Sequence, residues 1–132
     1  MLDSSLDVEK LKKLQFKIMQ DVAASALIPL MRIGDQLGLF QKLSELGPIT
    51  SKKFAEEAKL DERYLREWLY ALSATDFVSY DGAKEEFSLS PEQKAVFADE
   101  EGPANMLGAY EVLAGQVLSL IHISEPTRRK RI

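Results

Sequence analysis

Nucleophilic catalysis needs a base beside its nucleophile, normally a histidine. The sequence has one histidine, His122, and it lies in a C-terminal stretch set apart below. Cysteine is absent, which removes disulfides and thiolate zinc sites. Carboxylates are plentiful, but their positions serve other ends. Asp61-Glu62 opens a helical pattern, Glu85-Glu86 lies on a hairpin, and Asp99-Glu100-Glu101 leads into Gly102-Pro103 as an acidic loop. A phosphate cradle needs clustered glycines between a strand and a helix. Gly34 and Gly38 come nearest, and they fall within or at the end of a helical pattern, where glycines pack or cap. The sequence therefore offers no catalytic, cofactor-binding or metal-ligating set. What is left is basic: Lys52, Lys53, Arg63 and Arg66, whose chemistry would be phosphate contact on nucleic acid.

The elements that would carry those four residues run from Ile49 to Leu89. Thr50 or Ser51 can cap a first helix, along which Phe54, Ala55 and Ala58 are apolar at helical spacing. Leu60-Asp61 restarts the chain, with Asp61 as N-cap, Glu62 beside the positive end of the helix dipole, and Leu60 placed to staple onto Leu65. Leu65, Trp68, Leu69 and Leu72 recur at i, i+3, i+4 and i+7, a single buried stripe. From Phe77 the period changes to that of strands. Phe77–Tyr80 and Glu85–Leu89 flank Asp81-Gly82-Ala83-Lys84, whose Asp-Gly marks a hairpin. The expected fold is mainly α: a winged helix-turn-helix over 49–98, with extra N-terminal helices and a small two-stranded β wing.

Upstream, Leu11, Leu14, Ile18 and Val22 mark an amphipathic helix over about 6–21. A more apolar helix over 23–38 holds Ala26, Leu27, Leu30, Met31, Ile33 and Leu37, with a kink or fresh start near Pro29. These helices over 1–48 exceed what a small winged domain needs to cover its own core. They either pack inward or seat a partner chain; the second is preferred, with Leu27, Leu30 and Met31 near a twofold axis. Gly38-Leu39-Phe40 opens a short helix that ends at Leu46 before Gly47-Pro48. Downstream, Ser90-Pro91-Glu92-Gln93 reads as a capping box that starts a helix ending near Ala98. Residues 99–117 read as a linker and the start of a connecting helix, with Met106, Tyr110, Leu113 and Val117 on one side.

The stretch from Leu118 to Arg128, LSLIHISEPTR, resembles the translation of a sequencing-library adapter, and residues 118–132 are expected to be an artefactual tail. On that expectation the natural product continues past Val117 with other sequence. A genuine basic tail for nucleic acid or anionic lipid is the alternative. The whole chain carries 17 basic and 21 acidic side chains, a net charge of −4. Residues 1–117 alone carry 13 basic against 20 acidic, a net of −7. That charge repels phosphate, so nucleic acid is not the expected partner. The N-terminus lacks the basic residues of a signal peptide, and no apolar run approaches the ~18–20 residues of a membrane span. The expectation is a cytoplasmic protein with no membrane partner.

The residues that organise the chain also resemble a family. Gly34-Asp35-Gln36-Leu37-Gly38-Leu39-Phe40, then Leu60-Asp61-Glu62-Arg63-Tyr64-Leu65-Arg66-Glu67-Trp68-Leu69, then Phe77-Val78-Ser79-Tyr80-Asp81 and Phe87-Ser88-Leu89-Ser90-Pro91-Glu92 resemble the N-terminal region of class I S-adenosylmethionine-dependent methyltransferases that begin with a winged-helix domain. The layout is more loosely similar to the dimerisation region of small-molecule O-methyltransferases. The resemblance implies a homodimerising domain that roofs the substrate pocket of a C-terminal Rossmann-like domain, with Met106, Tyr110 and Leu113 facing that domain or the partner. It also implies S-adenosylmethionine as cofactor of the full-length parent and none in this fragment, because the strand and glycine-rich loop that hold it have no counterpart here. The rival reading is a winged-helix transcriptional regulator that contacts DNA through Lys52, Lys53, Arg63 and Arg66.

Overall fold

The computed structural model describes residues 5–123 of the 132. Its elements are α1 (Val8–Ser25), α2 (Leu27–Gln36), α3 (Leu39–Leu46), β1 (Ile49–Thr50), α4 (Ser51–Ala58), α5 (Glu62–Ser73), β2 (Ser79–Asp81), β3 (Glu86–Ser88), α6 (Pro91–Phe97) and α7 (Leu107–Ile123). This is a mainly helical winged helix-turn-helix with additional helices at both ends. Of the tail singled out by its sequence, residues 118–123 continue the backbone of α7, and 124–132 lie outside the described residues.

Local chemistry sets the helix boundaries. Thr50 Oγ1 caps α4 by accepting from the Lys53 amide at 3.4 Å. The Asp61 carboxylate caps α5 by accepting from the amides of Arg63 and Tyr64 at 3.0 and 3.4 Å. Ser90 and Gln93 close a reciprocal capping box on α6, which satisfies two otherwise orphaned amides. The fresh start expected near Pro29 falls three residues earlier. Helix α1 stops at Ser25, α2 begins at Leu27, and Pro29 sits in the first turn of α2, where a missing N–H costs no intrahelical bond. Gly38 follows α2 with φ +63, the left-handed turn that lets the chain reverse into α3.

The wing differs from the expected two strands. Its hairpin pairs Tyr80 with Phe87 and Asp81 with Glu86, but β1 adds a third strand on the other side of β3, with Ile49 opposite Phe87. Two residues are too few to show a period, so pattern reading passes over β1.

The stripe of α5 is buried as expected: Leu65, Trp68, Leu69 and Leu72 all lie in the core. They meet Phe40, Leu43, Phe54, Val78 and Phe87. Phe40 is the hub, with ring centroids 5.3 Å from both Trp68 and Phe97. The Trp68 indole N–H donates to the Leu30 carbonyl at 2.8 Å and so pins α5 to α2.

The residues expected near a twofold on α2 pack in part within the protomer. Met31 is fully buried inside the protomer, and Leu27 and Leu30 are half-buried against the same core. The helix lies along α7 and turns its apolar face inward, so Met31 has no surface to offer a second chain. The reverse holds for α1, which buries no residue at all.

Candidate functional site

Three surfaces qualify, and the first is the face that a DNA-reading helix-turn-helix would use. Lys52 and Arg66 line one shallow pocket there together with Glu62 and Glu85, so the basic side chains are interleaved with carboxylates. Arg66 is tied down: its Nη1 donates to Glu62 Oε1 and Oε2 at 3.2 and 3.0 Å, and Ser51 Oγ donates to the same Oε1 at 2.8 Å. This network clamps α5 to the start of α4 and neutralises the guanidinium. Lys52 and Lys53 are exposed at the head of α4, and Arg63 is exposed in the first turn of α5. Around them the wing exposes Asp81 and Glu85, with Glu86 half-buried.

Tyr80, on the first strand of the wing, carries a perturbed phenol. A hydrogen bond with Tyr70, a little desolvation, and the charges of Glu85 and Asp81 push its phenol from 10.0 up to about 12. The two rings meet edge to face at 5.5 Å. Ultraviolet titration is therefore expected to show one of the four tyrosines ionising near pH 12, and Tyr70→Phe to bring that step back toward 10.0. The sign follows from linkage. A phenol whose pKa is higher in the folded state contributes stability below its unfolded pKa and loses it as pH rises through the folded one. A Tyr80 step unmoved by Tyr70→Phe would mean that the hydroxyl pair does not hold it.

The second surface is the seam of α2 and α7. Here the structure brings together residues that the sequence placed apart. Arg32 Nε donates to Glu111 Oε2 at 3.0 Å across the seam. Of the three proposed interdomain residues, Tyr110 is half-buried against the core, and burial raises its phenol. Met106 and Leu113 are exposed, and Met106 precedes the helix instead of lying on it. The inward positions are Leu107 and Ala114, one residue round from the expected face. The stretch is apolar on several sides, so its period could not choose between faces; Leu107, Tyr110 and Ala114, at i, i+3 and i+7, were the available signal. Beside this seam an apolar groove of about 370 Å³ is lined by Ser25, Ile28, Pro29, Arg32, Ala114 and Val117.

The third surface is a groove of about 250 Å³ between the end of α2 and the start of α5, lined by Ile33, Leu37, Leu60, Tyr64 and Trp68 among others. Its wall is nearly all hydrocarbon and carries no convergent polar set. Gly34 serves packing: a Cβ there would stand 2.6 Å from atoms of both Phe40 and Trp68. Among the described residues no cluster of three His, Cys, Asp or Glu side chains could hold a metal ion. No helix among them is long and apolar enough to cross a membrane.

The model of the Rv2258c-like winged helix-turn-helix domain matches residues 23–98. No curated protein sequence matches the chain. Among solved structures, an O-methyltransferase family 2 protein of Planctomyces limnophilus, in complex with apigenin, is similar with a TM-score of 0.61 and 18% identity over 74% of this chain. The N,N-8-amino-8-demethyl-D-riboflavin dimethyltransferase RosA of Streptomyces davawensis is similar at 0.55 and 21% over 92%. PigF, solved with S-adenosylhomocysteine (SAH), is similar at 0.56 and 15% over 96%. These likenesses show a common fold. The chain spans 28%, 37% and 38% of the length of those three proteins.

Proposed function

Because the chain belongs to the Rv2258c-like winged helix-turn-helix domain family, we propose that it is the N-terminal dimerisation and substrate-lid domain of a cytoplasmic S-adenosylmethionine-dependent methyltransferase acting on a small molecule. The observation that carries this reading is the state of the helix-turn-helix face. Its central arginine, Arg66, is held by Glu62, and the wing beside it is acidic, so the face that reads DNA in other winged domains is unsuited to phosphate. The similar structures include methyltransferases, and one was solved with SAH, which fits a parent that uses this cofactor. On this reading a Rossmann-like domain follows the winged domain and supplies the cofactor loop, and α7 leads toward it. Met106 and Leu113, exposed on and beside α7, are the contacts proposed for that domain.

Calorimetric titration with S-adenosylmethionine tests the assignment. This chain alone should give no binding heat. A longer form that carries a strand followed by a glycine-rich turn should bind the cofactor and release it when that turn is disrupted. Binding by this chain alone, or no binding by the longer form, would remove the reading.

The regulator alternative is tested separately by fluorescence anisotropy with random and palindromic duplexes at low salt. No saturable binding is expected. Affinity that falls steeply with salt and is lost in Arg63→Glu would put the regulator in its place.

A further inference from the structure

The pocket on the helix-turn-helix face carries charge that the fold does not use. It lies between the head of α4, the middle of α5 and the wing. Its volume is about 330 Å³, at the low end of the ~300–1,000 Å³ of ligand clefts. Glu62, Arg66 and Tyr70 stand at i, i+4 and i+8 on α5 and form one wall. Lys52 comes from α4, and Glu85 and Phe87 come from the wing.

Some of these groups are engaged. Glu62 accepts from Arg66 Nη1 at 3.2 and 3.0 Å and from Ser51 Oγ at 2.8 Å. The Tyr70 ring is held edge to face by Tyr80 at 5.5 Å and by Phe87 at 5.4 Å. Other groups are not engaged. Arg66 commits Nη1 alone, which leaves N–H donors on Nε and Nη2. Among the described residues, neither the Lys52 ammonium nor the Glu85 carboxylate has a hydrogen-bond or ion-pair partner. Opposite charges thus line one small pocket without meeting. Glu85 is set there by its turn. Asp81 Oδ1 accepts from the amides of Ala83 and Lys84 at 3.0 and 3.3 Å, and the chain then passes through Glu85 at φ +54. Gly or Asn adopts that left-handed backbone most easily; here a carboxylate holds it.

We infer that this pocket binds a small zwitterion of the amino-acid class. Its carboxylate sits on Lys52 and the outer N–H groups of Arg66, its ammonium on Glu85, and its carbon stem against the Tyr70 ring. Charge balance selects the class. Lys52 and Arg66 against Glu62 and Glu85 sum to zero. A lone anion such as phosphate meets Glu85, and a lone cation meets Lys52. A neutral apolar molecule strips water from both charges and replaces none of their hydrogen bonds. A molecule with an acid and an amine satisfies both at once through charge-assisted hydrogen bonds, and the face of Tyr70 favours the ammonium further. Three elements bound the pocket, so it takes a molecule from its open side and not a flat protein surface. It belongs wholly to the winged domain, so its occupancy stands or falls apart from the proposed parent enzyme. A ligand bridging α4, α5 and the wing also ties the wing to the helix pair, so the loaded domain melts higher.

Amide chemical-shift titration of the full chain tests this with glycine, 4-aminobutyrate, 6-aminohexanoate and L-phenylalanine. At least one of them, at millimolar concentration, should move the amides of Lys52, Arg66 and Glu85 saturably and raise the melting temperature. The order of the lengths reports the span between the two charges. Lys52 and Glu85 are exposed, so Lys52→Gln and Glu85→Gln should keep the circular dichroism of the parent chain. Each should weaken binding about tenfold or more, the loss of one hydrogen bond to a charged group. Acetate and butylammonium, which each carry one of the two charges, should not saturate.

No saturable shift with any of these zwitterions would overturn the site and leave its charges as solvated surface. Acetate or butylammonium binding as tightly as the best zwitterion would overturn the class. Binding indifferent to both variants would overturn the location. Shifts produced only by a lysyl-glutamate dipeptide blocked at both ends would replace the small molecule with a protein partner and overturn the inference as well.

Discussion

Trp68→Ala is expected to lower the unfolding free energy by about 3–5 kcal/mol. For a domain whose total stability is on the order of 5–15 kcal/mol, that brings the fold close to its limit. Three losses coincide at this residue. The indole is buried between α2, α3 and α5, so its removal leaves a cavity as well as lost transfer energy. The edge-to-face contact with Phe40 at 5.3 Å disappears, worth about 0.5–1.5 kcal/mol beyond area. The hydrogen bond to the Leu30 carbonyl at 2.8 Å disappears too. That bond fixes how α2 lies on the helix-turn-helix, so its loss should loosen the α2–α7 layer ahead of the winged core. Trp68→Phe keeps most of the packing and removes only the donor, and should cost about 1–2 kcal/mol. Urea denaturation followed by circular dichroism measures both. If Trp68→Ala cost no more than Trp68→Phe, the packing of the indole would not anchor α2 to α5.

The sequence made this anchor legible because α5 states its period plainly: Leu65, Trp68, Leu69 and Leu72 recur at i, i+3, i+4 and i+7, and the charged residues Glu62, Arg63, Arg66 and Glu67 all fall outside that set. The caps at Thr50, Asp61 and Ser90 were legible for the same kind of reason, since each is a short-range contact that three or four consecutive residues determine. Assignments that depend on what lies across the helix were not legible. Helix α2 and the stretch after Gly102 are apolar on more than one side, so pattern alone could not say that they cover each other.

Leu27, Leu30 and Met31 accordingly read as a surplus awaiting a partner, whereas in the protomer Met31 is fully buried and Leu27 and Leu30 pack in part against the core. Leu30→Asp, which on that reading would give a monomer or unfold the chain, is expected to loosen the protomer, since Leu30 packs against its core. The apolar stripe that stays unburied is that of α1, which was visible in the sequence although its lack of any seat was not. The candidate site followed the same division. That the basic residues were few was plain from composition; that Arg66 is spent on Glu62 required the fold, because an i, i+4 pair on a helix can equally point both charges outward.

Gly34→Ala is expected to destabilise the domain by about 1–3 kcal/mol, and Gly34→Val by more, although each replaces a poor helix former. In an exposed helix interior, glycine to alanine would stabilise by ~1 kcal/mol. Gly34 is buried in α2, and a Cβ built on it would lie 2.6 Å from Phe40 Cε2 and from Trp68 Cζ2, well inside van der Waals contact. Neither ring is free to retreat. Phe40 is fully buried and stacked against Phe97 at 5.3 Å, while Trp68 is held by its bond to Leu30, one turn earlier on the same helix as Gly34. The added carbon must therefore push α2 off α3 and α5, which strains the bond and opens the ring contact together. The sign of the alanine change decides between the two effects. A melting curve in which Gly34→Ala is neutral or stabilising would show that the rings yield and helix propensity wins. A double-mutant cycle locates the clash: with the indole gone in Trp68→Ala, the added cost of Gly34→Ala should shrink by about 1 kcal/mol, and strict additivity would mean that the obstacle is Phe40 alone.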